Sequence, residues 1–206
     1  MSSAASPERV CVYLLSDIDT KASAEERARV SRRFVADSVR RYCEQEGRAV
    51  SETAIQGLVV GTLTDGTPAF EYGTHGKPFF ADPALKDLYF SLSHTREIEV
   101  CAVCRTAVGC DIEYPKFRHL EAARMVKIAK RFFAPDEFEK LLPDPAGTFF
   151  SIWTKKEAYV KWTGNGFAEG FSSFSVFDLP EGVVCEKRIL TGVEDAECAV
   201  CYEWGF

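Results

Sequence analysis

The chain has 206 residues, 46% of them hydrophobic and 27% charged, so it can bury the core of one large domain or two small ones. Its 25 basic and 31 acidic residues give a net charge of -6, which argues against nucleic acid as the main partner. The sequence lacks a signal-peptide pattern, and no apolar run approaches the length of a membrane span. We therefore expect a cytoplasmic protein without membrane partners.

The first half of the sequence predicts strands around one long helix. Residues 10–15, VCVYLL, form an apolar run that is typical of a buried strand. Residues 22–46 carry apolar side chains near helical spacing, and Gly47 is expected to end that helix. Residues 54–80 are rich in glycine and turn dipeptides, which predicts short strands between turns. Three further strands are predicted over residues 88–94, 98–104 and 107–114.

The second half predicts helices first and strands afterwards. Residues 120–133 have a helical pattern, and a second helix is predicted over residues 134–142. Pro143 interrupts it, and residues 147–164 predict a third helix that Gly164 closes. Three more strands are predicted over residues 171–179, 183–190 and 197–204.

Strands and helices are mixed without the strict alternation of a doubly wound parallel sheet, so the sequence predicts an α+β fold. The two halves look alike in outline, since each contains a long helix and the strands of a small, mainly antiparallel sheet. We therefore predict a pseudo-two-fold duplication, with an N-terminal half over residues 1–108 and a C-terminal half over residues 109–206.

Two copies of the text CAVC, Cys101–Cys104 and Cys198–Cys201, raise the question of a zinc site. In an extended strand, residues three apart point to opposite faces, whereas paired metal ligands usually flank a turn. We therefore expect these cysteines to pack in the core as reduced thiols.

Asp111 and Glu113 lie two apart in the predicted strand VGCDIEY, so both side chains project to one face. Two carboxylates side by side repel each other, and a divalent cation removes that repulsion. Oxygen ligands of this kind suit Mg²⁺ or Mn²⁺ rather than zinc. The alternative is an edge strand on which both acids face water, and this segment alone leaves the two interpretations open.

The helical stretch WTKKEAYVKWTG presents a second group of polar side chains. At helical spacing, one face carries Trp153, Lys156, Glu157, Val160, Lys161 and Gly164. Glu157 would supply a third carboxylate to a metal site, and the two lysines would bind phosphate oxygens. The alternative is a surface Glu157–Lys161 ion pair that contributes roughly 0.3 kcal/mol.

Two turns contribute further candidates. Ser93 and His94 end a predicted strand, where a histidine ring N–H can bind an anion. They do not form a catalytic dyad, because adjacent side chains on a strand diverge. Lys77 follows Gly76 in the turn HGKP, and glycine lets the backbone approach a ligand closely. The alternative for Lys77 is a solvated lysine in a loop.

In their order along the chain, these motifs resemble those of the 4′-phosphopantetheinyl transferase superfamily, of the larger type that activates surfactin synthetase. The family pattern is a glycine ahead of Asp-x-Glu, followed later by Trp-x-x-Lys-Glu-(Ala/Ser)-x-x-Lys. The matching residues are Gly109, Asp111, Glu113, Trp153, Lys156, Glu157, Ala158 and Lys161. A further match, RFF ahead of an acid, consists of Arg131, Phe132, Phe133 and Glu137.

The resemblance covers residues 72–177, and the N-terminal 70 residues match less well. Family members of this type often carry a basic segment ahead of the first long helix that helps to bind coenzyme A. Here Arg29, Arg32 and Arg33 lie within the predicted helix and do not align with that segment.

The resemblance implies an enzyme that moves the 4′-phosphopantetheine arm of coenzyme A onto a serine of an apo acyl or peptidyl carrier protein, releasing adenosine 3′,5′-bisphosphate. Asp111, Glu113 and Glu157 would hold Mg²⁺, or Mn²⁺, against the pyrophosphate of coenzyme A. Glu157 would also accept the proton of the carrier serine. Lys161 would bind phosphate oxygens, with Lys156 as a second cation.

The same resemblance assigns the remaining candidates. Ser93 and His94 would bind the 3′-phosphate of coenzyme A, and Lys77 would lie beside the adenine nucleotide. Gly164 would belong to the same cofactor-binding group. Glu137 would touch the water shell of the metal or orient the nucleophile.

Carrier proteins of this kind are usually acidic, and the predicted helix over residues 120–133 offers a basic surface to one. Its basic side chains are Lys127, Lys130 and Arg131. The alternative is that this helix simply turns a core face inward, through Met125, Ile128 and Phe132. A duplicated chain would assemble its site within one monomer, so we expect a monomer.

Two other functions use the same residues. A Mg²⁺-dependent phosphohydrolase or nucleotidyl-transfer enzyme would need no carrier protein. A coenzyme A-binding regulatory module would have lost turnover, but the presence of Asp111, Glu157 and Lys161 argues against it.

Overall fold

A computed structural model describes residues 10–117, 119–166 and 170–204, apart from the side chain of residue 117. Within those ranges the strands are β1 (Cys11–Leu15), β2 (Phe70–Tyr72), β3 (Pro78–Phe80), β4 (Tyr89–Thr95), β5 (Ile98–Cys104), β6 (Val108–Glu113), β7 (Val183–Arg188) and β8 (Glu197–Glu203). The helices are α1 (Ala24–Gln45), α2 (Glu52–Val60), α3 (Ala122–Phe132), α4 (Pro135–Leu141) and α5 (Pro145–Thr163). The predicted α+β class is confirmed. No helix in these ranges is both long enough and apolar enough to cross a membrane.

Two antiparallel three-stranded sheets form the frame, one in the order β1-β5-β4 and the other in the order β6-β8-β7. Helix α1 packs on the first sheet, and α5 packs on β6 and β8 of the second. Strands β4 and β6 bring the sheets together, since the Ser91 hydroxyl accepts a hydrogen bond from the Cys110 N–H at 3.0 Å. Each sheet therefore carries one long helix, while the internal duplication and the division after residue 108 stay predictions.

Gly109 explains why α5 lies so close to β6. A Cβ added at this position would collide with the Ala158 carbonyl oxygen and the Trp162 backbone nitrogen. Only glycine permits such an approach of strand to helix. The carboxylates of β6 are thereby placed directly beside the polar face of α5.

The predicted short strands over residues 54–80 are wrong at their start, because α2 occupies Glu52–Val60. Ser51 caps this helix by accepting the Ala54 N–H, and Gly61 ends it in the left-handed conformation with φ 93°. Ile55 and Leu58 bury its inner face in the first core. Two short strands, β2 and β3, form the rest of the region.

The strand predicted over residues 171–179 is also wrong. The chain there makes a 3₁₀ turn at Phe171–Ser173 and one isolated bridge between Ser175 and Asp178. Buried side chains form hydrogen bonds with backbone groups that would pair with a neighbouring strand in a sheet. Lys156 donates to the Phe174 carbonyl at 2.7 Å, and the Val176 N–H donates to Glu137 at 2.7 Å.

The cysteines pack as their strand positions predict. Cys101 and Cys104 lie on β5 and enter two different apolar clusters, and Cys198 and Cys201 on β8 do the same. All eight cysteines lie in the described part of the chain and have free thiols. The strand periodicity places the thiols of each CAVC pair apart rather than around one ion.

Candidate active site

Asp111 is the buried centre of a polar cluster between β4, β6 and α5. Its Oδ1 accepts a 2.7 Å hydrogen bond from the Ser93 hydroxyl and forms a 2.8 Å ion pair with Lys161. Lys161 Nζ also donates to the Cys110 carbonyl at 3.0 Å. Asp111 is 7% exposed, so these contacts fix its carboxylate before any ligand arrives.

Glu157, one helical turn before Lys161, is the second acid of the cluster. Its pKa is raised to about 7, first by burial and then by the negative charges of Asp111 and Glu113, while Lys161 opposes the rise. The carboxylates of β6 and α5 therefore lie close enough to repel each other. A cation between them would relieve that repulsion.

The donor set of this cluster consists of carboxylate oxygens, which fits Mg²⁺ or Mn²⁺ better than zinc. Across the described residues, no group of three His, Cys, Asp or Glu side chains is arranged to hold a metal ion by itself. Mg²⁺ usually takes one or two carboxylates and completes its shell with water and substrate phosphate oxygens. The residues present therefore fit an ion that is bound together with a phosphorylated substrate.

Two clefts meet at Glu157. The first has a volume of about 300 Å³, and its lining includes Lys77, Lys161 and Gly164; we call it the donor cleft. The second has a volume of about 480 Å³, is lined by Glu113 and by side chains of α3 and α5, and is called the acceptor cleft. Glu157 lines both clefts, so this residue of α5 lies at the boundary between them.

Lys77 is held in the wall of the donor cleft rather than solvated. Its Nζ donates to the Val108 carbonyl at 3.2 Å and to the Trp162 carbonyl at 2.8 Å, and burial lowers its pKa to about 8. Gly164 ends α5 with φ 73°, and a Cβ there would lie 3.0 Å from Lys77 Cδ. Lys77 and Gly164 therefore lie in close contact in the lining of the donor cleft.

Comparison with known proteins identifies the family. The family model of the 4′-phosphopantetheinyl transferase superfamily matches residues 107–203, which include β6, α5 and the cluster around Asp111 except for Ser93. The 4′-phosphopantetheinyl transferase HetI of Nostoc sp. is 36% identical over 161 residues, covering 75% of this chain and 65% of the relative. These matches place residues 107–203 of the chain in the 4′-phosphopantetheinyl transferase superfamily. The predicted resemblance is thereby confirmed.

Further relatives in the 4′-phosphopantetheinyl transferase superfamily come from Bacillus. A 4′-phosphopantetheinyl transferase of Bacillus subtilis is 35% identical over 147 residues, covering 65% of this chain and 62% of the relative. The 4′-phosphopantetheinyl transferase Sfp of Bacillus subtilis (strain 168) is 35% identical over 111 residues, covering 52% of this chain and 46% of the relative. The chain thus spans between about half and two thirds of the length of these relatives.

The predicted role of Lys156 as a second phosphate-binding cation requires correction. Lys156 is fully buried and forms a 2.7 Å ion pair with Glu137, so the structure does not bring it to the cluster around Asp111. Burial lowers its pKa, and Glu137 opposes that effect. Although Lys156 and Glu157 are adjacent, a helix turns by about 100° per residue and separates their side chains. The single polar face predicted for α5 is therefore divided.

Glu137, predicted near the metal's water shell, is also fully buried elsewhere. Its carboxylate accepts hydrogen bonds from the Ala134 N–H at 2.8 Å and the Val176 N–H at 2.7 Å, besides the pair with Lys156. The pair therefore ties α4, α5 and the segment around residue 175 together behind the site. Its role is to hold α5 in place.

We expect Lys156→Met to lower the free energy of unfolding by about 3–5 kcal/mol, because it leaves the buried Glu137 carboxylate without its cation. Urea denaturation measures this loss, and Lys155→Met serves as the control on the neighbouring, less buried lysine. The double variant Lys156→Met/Glu137→Gln should recover part of the loss, since it removes both charges. A stability of Lys156→Met equal to that of the control would contradict this account.

Ser93 and His94, predicted as a pair, point to different places. The buried Ser93 supports Asp111, whereas the exposed His94 lines a separate pocket of about 120 Å³. Arg27 from the first turn of α1 and Arg96 from the β4–β5 turn line the same pocket, which we call the His94 pocket. Sequence reasoning missed both arginines, because only the packing of α1 on the first sheet brings them to His94.

The other N-terminal arginines lie elsewhere. Arg29, Arg32 and Arg33 line a groove of about 530 Å³ between α1 and α2, together with Val30 and Val60. They do not line the His94 pocket or either cleft at Glu157.

Helix α3 has both features predicted from its sequence, an exposed basic surface and an apolar face that packs in the core. Met125 is buried in an apolar cluster with Phe149 and Phe150, which confirms its place in the core face. Ile128 and Phe132 are half-buried against the same cluster. The exposed basic side chains are Lys127, Lys130 and Arg131. The helix therefore presents cations beside the acceptor cleft while its inner face packs.

Proposed function

We propose that this protein transfers the 4′-phosphopantetheine arm of coenzyme A to a serine of an apo acyl or peptidyl carrier protein, with Mg²⁺, releasing adenosine 3′,5′-bisphosphate. The observation that carries the proposal is the position of Glu157 in the lining of both clefts, with Lys161, which is paired to Asp111, in the lining of the donor cleft. The names of the relatives support the same reaction class.

The donor cleft suits the pyrophosphate of coenzyme A. Lys161 would bind phosphate oxygens, and Lys77 would lie by the adenine nucleotide, near Gly164. Asp111 and Glu157, with Glu113, are the residues that would hold Mg²⁺. When bound, the ion neutralises charge that develops on the leaving phosphate.

Glu157 would accept the proton of the carrier serine, directly or through a water molecule. Because it lines both clefts, it would face the phosphate through the donor cleft and the incoming serine through the acceptor cleft. A position between the two would bring its carboxylate within reach of the serine proton, as a general base requires.

The acceptor cleft suits a helix of an acidic carrier protein. Its lining combines apolar side chains such as Ile128 and Trp153 with the cation of Arg124. Trp153 stacks between Phe149 and Phe171, with ring centroids 5.8 and 5.5 Å away, so this wall is firmly packed. Exposed cations on α3 extend the positive surface, which would steer an acidic partner. All of these groups come from one chain, which favours a monomer.

We expect His94→Ala to weaken coenzyme A binding while sparing the chemical step. His94, with Arg27 and Arg96 around it, is assigned to the 3′-phosphate, and a contact present equally in ground and transition states raises KM and spares kcat. Comparing coenzyme A with 3′-dephospho-coenzyme A measures the effect. Equal discrimination by variant and wild type would refute the assignment.

The proposed function is tested by incubating the protein with coenzyme A, Mg²⁺ and an apo carrier protein. A mass gain of one phosphopantetheine on the carrier is the expected result. Cleaved nucleotide or free phosphate with an unmodified carrier would identify a hydrolase instead. Bound coenzyme A without either product would identify a binding module.

A further inference from the structure

Glu99 is a buried acid that has no part in the roles assigned above. It lies on β5 directly opposite His94 on β4 and is 5% exposed. Its Oε1 accepts a 2.7 Å hydrogen bond from the Ser31 hydroxyl of α1, whereas Oε2 has no hydrogen-bond partner among the described residues. An unpaired buried carboxylate oxygen is costly, so the chain retains a strong acceptor here at the expense of stability.

Two arginines line the His94 pocket together with Glu99, Arg27 from α1 and Arg96 from the β4–β5 turn. Burial raises the pKa of Glu99, while the Ser31 hydrogen bond and the nearby His94 lower it. Among the described residues lining this pocket, Glu99 is the only acid.

The strand register brings Glu99 and His94 within reach of each other. Residues directly opposite on antiparallel strands share a sheet face, with Cβ atoms about 5 Å apart. A protonated imidazole has two N–H donors, one on each side of the ring. One can meet the unpaired Oε2 of Glu99 while the other faces the pocket.

We propose that Glu99 is a positioning residue for His94, accepting one imidazole N–H and so directing the second toward a phosphate monoester in the pocket. The proposal rests on the function proposed above, because that phosphate is the 3′-phosphate of coenzyme A. Glu99 itself does not touch the ligand.

The test measures binding and needs no carrier protein. Calorimetry gives the affinities of adenosine 3′,5′-bisphosphate and of AMP, which lacks the 3′-phosphate, and the ratio of the two isolates the phosphate contact. The variants are Glu99→Gln, His94→Ala and the double variant. Glutamine keeps the size of the side chain and an oxygen for Ser31. Glu97→Gln is the matched control, since it changes the same charge in the same hairpin but does not line the pocket.

We expect Glu99→Gln to lower the affinity ratio about tenfold at pH 7, the scale of one charge-assisted hydrogen bond, and Glu97→Gln to leave it unchanged. In the His94→Ala background, Glu99→Gln should have no further effect, because nothing is left to position.

An unchanged ratio in Glu99→Gln, or an equal drop in the His94→Ala background, overturns the proposal. AMP affinity reports on folding, so a loss of both affinities in Glu99→Gln also counts against a role confined to the phosphate. If wild type binds the two nucleotides equally, the proposal and the 3′-phosphate assignment fall together. Absence of transfer to a carrier protein, with the wild-type ratio intact, refutes only the proposed function.

Discussion

Glu157→Gln should bind coenzyme A and Mg²⁺ yet transfer phosphopantetheine about 10²–10⁴-fold more slowly, the scale of general-base catalysis. The amide oxygen can still coordinate a cation, but an amide cannot accept the serine proton. The rate should therefore stay low at every Mg²⁺ concentration. Titrating Mg²⁺ against the single-turnover transfer rate measures this.

Glu113→Gln is the matched control for Glu157→Gln. Glu113 lies on β6, lines the acceptor cleft and contributes to the raised pKa of Glu157, but it is assigned to the metal alone. High Mg²⁺ should rescue its variant in part. Recovery of Glu157→Gln to the wild-type rate would leave Glu157 as a ligand only, and a bound water would have to take the proton.

Asp111→Ala should lower kcat/KM by about 10³-fold or more, equivalent to about 4 kcal/mol of transition-state stabilisation. The substitution removes a proposed metal ligand and also leaves Lys161 and Ser93 without their shared acceptor. Lys161 would then keep its hydrogen bond to the Cys110 carbonyl but lose its ion pair with Asp111. Steady-state kinetics with a purified apo carrier protein measures the loss.

Two variants separate these effects of Asp111. Asp111→Asn keeps an oxygen for Ser93 and Lys161 while weakening metal binding, so its activity should depend more steeply on Mg²⁺ than that of wild type. Ser93→Ala removes the hydrogen bond to Asp111 and the longer one from the Ile112 N–H, and should retain most activity. Urea denaturation of each variant excludes unfolding as the cause. Full activity of Asp111→Ala in excess EDTA would end the metal hypothesis.

Local patterns were sufficient to predict most of the frame. The apolar strand runs, the stop at Gly47 and the close of α5 at Gly164 all lie in the sequence within a few residues of the observed ends. The two-residue spacing of Asp111 and Glu113 correctly placed both on one strand. These features are determined by residues close together in the sequence, and the periodicity of apolar residues predicts such local structure.

Features that depend on long-range packing could not be predicted in this way. Helical spacing alone put Lys156 beside Glu157, but the buried carboxylate of Glu137 captures Lys156 from the far side of α5. The partners of His94 come from α1 and from β5, and only the assembled sheet brings them together. Gly109 was recognised from the family pattern, and the structure explains why a glycine is needed there, because a side chain would collide with α5.

The central claim is that Glu157 stands between bound coenzyme A and the incoming carrier protein. A crystal structure with coenzyme A and Mn²⁺ tests it most directly, because the anomalous signal of manganese locates the ion independently of the protein. We predict a manganese peak between the carboxylates of Asp111 and Glu157, with the pyrophosphate against Lys161 and the acceptor cleft open. A manganese peak away from these carboxylates, or coenzyme A outside the donor cleft, would contradict the account.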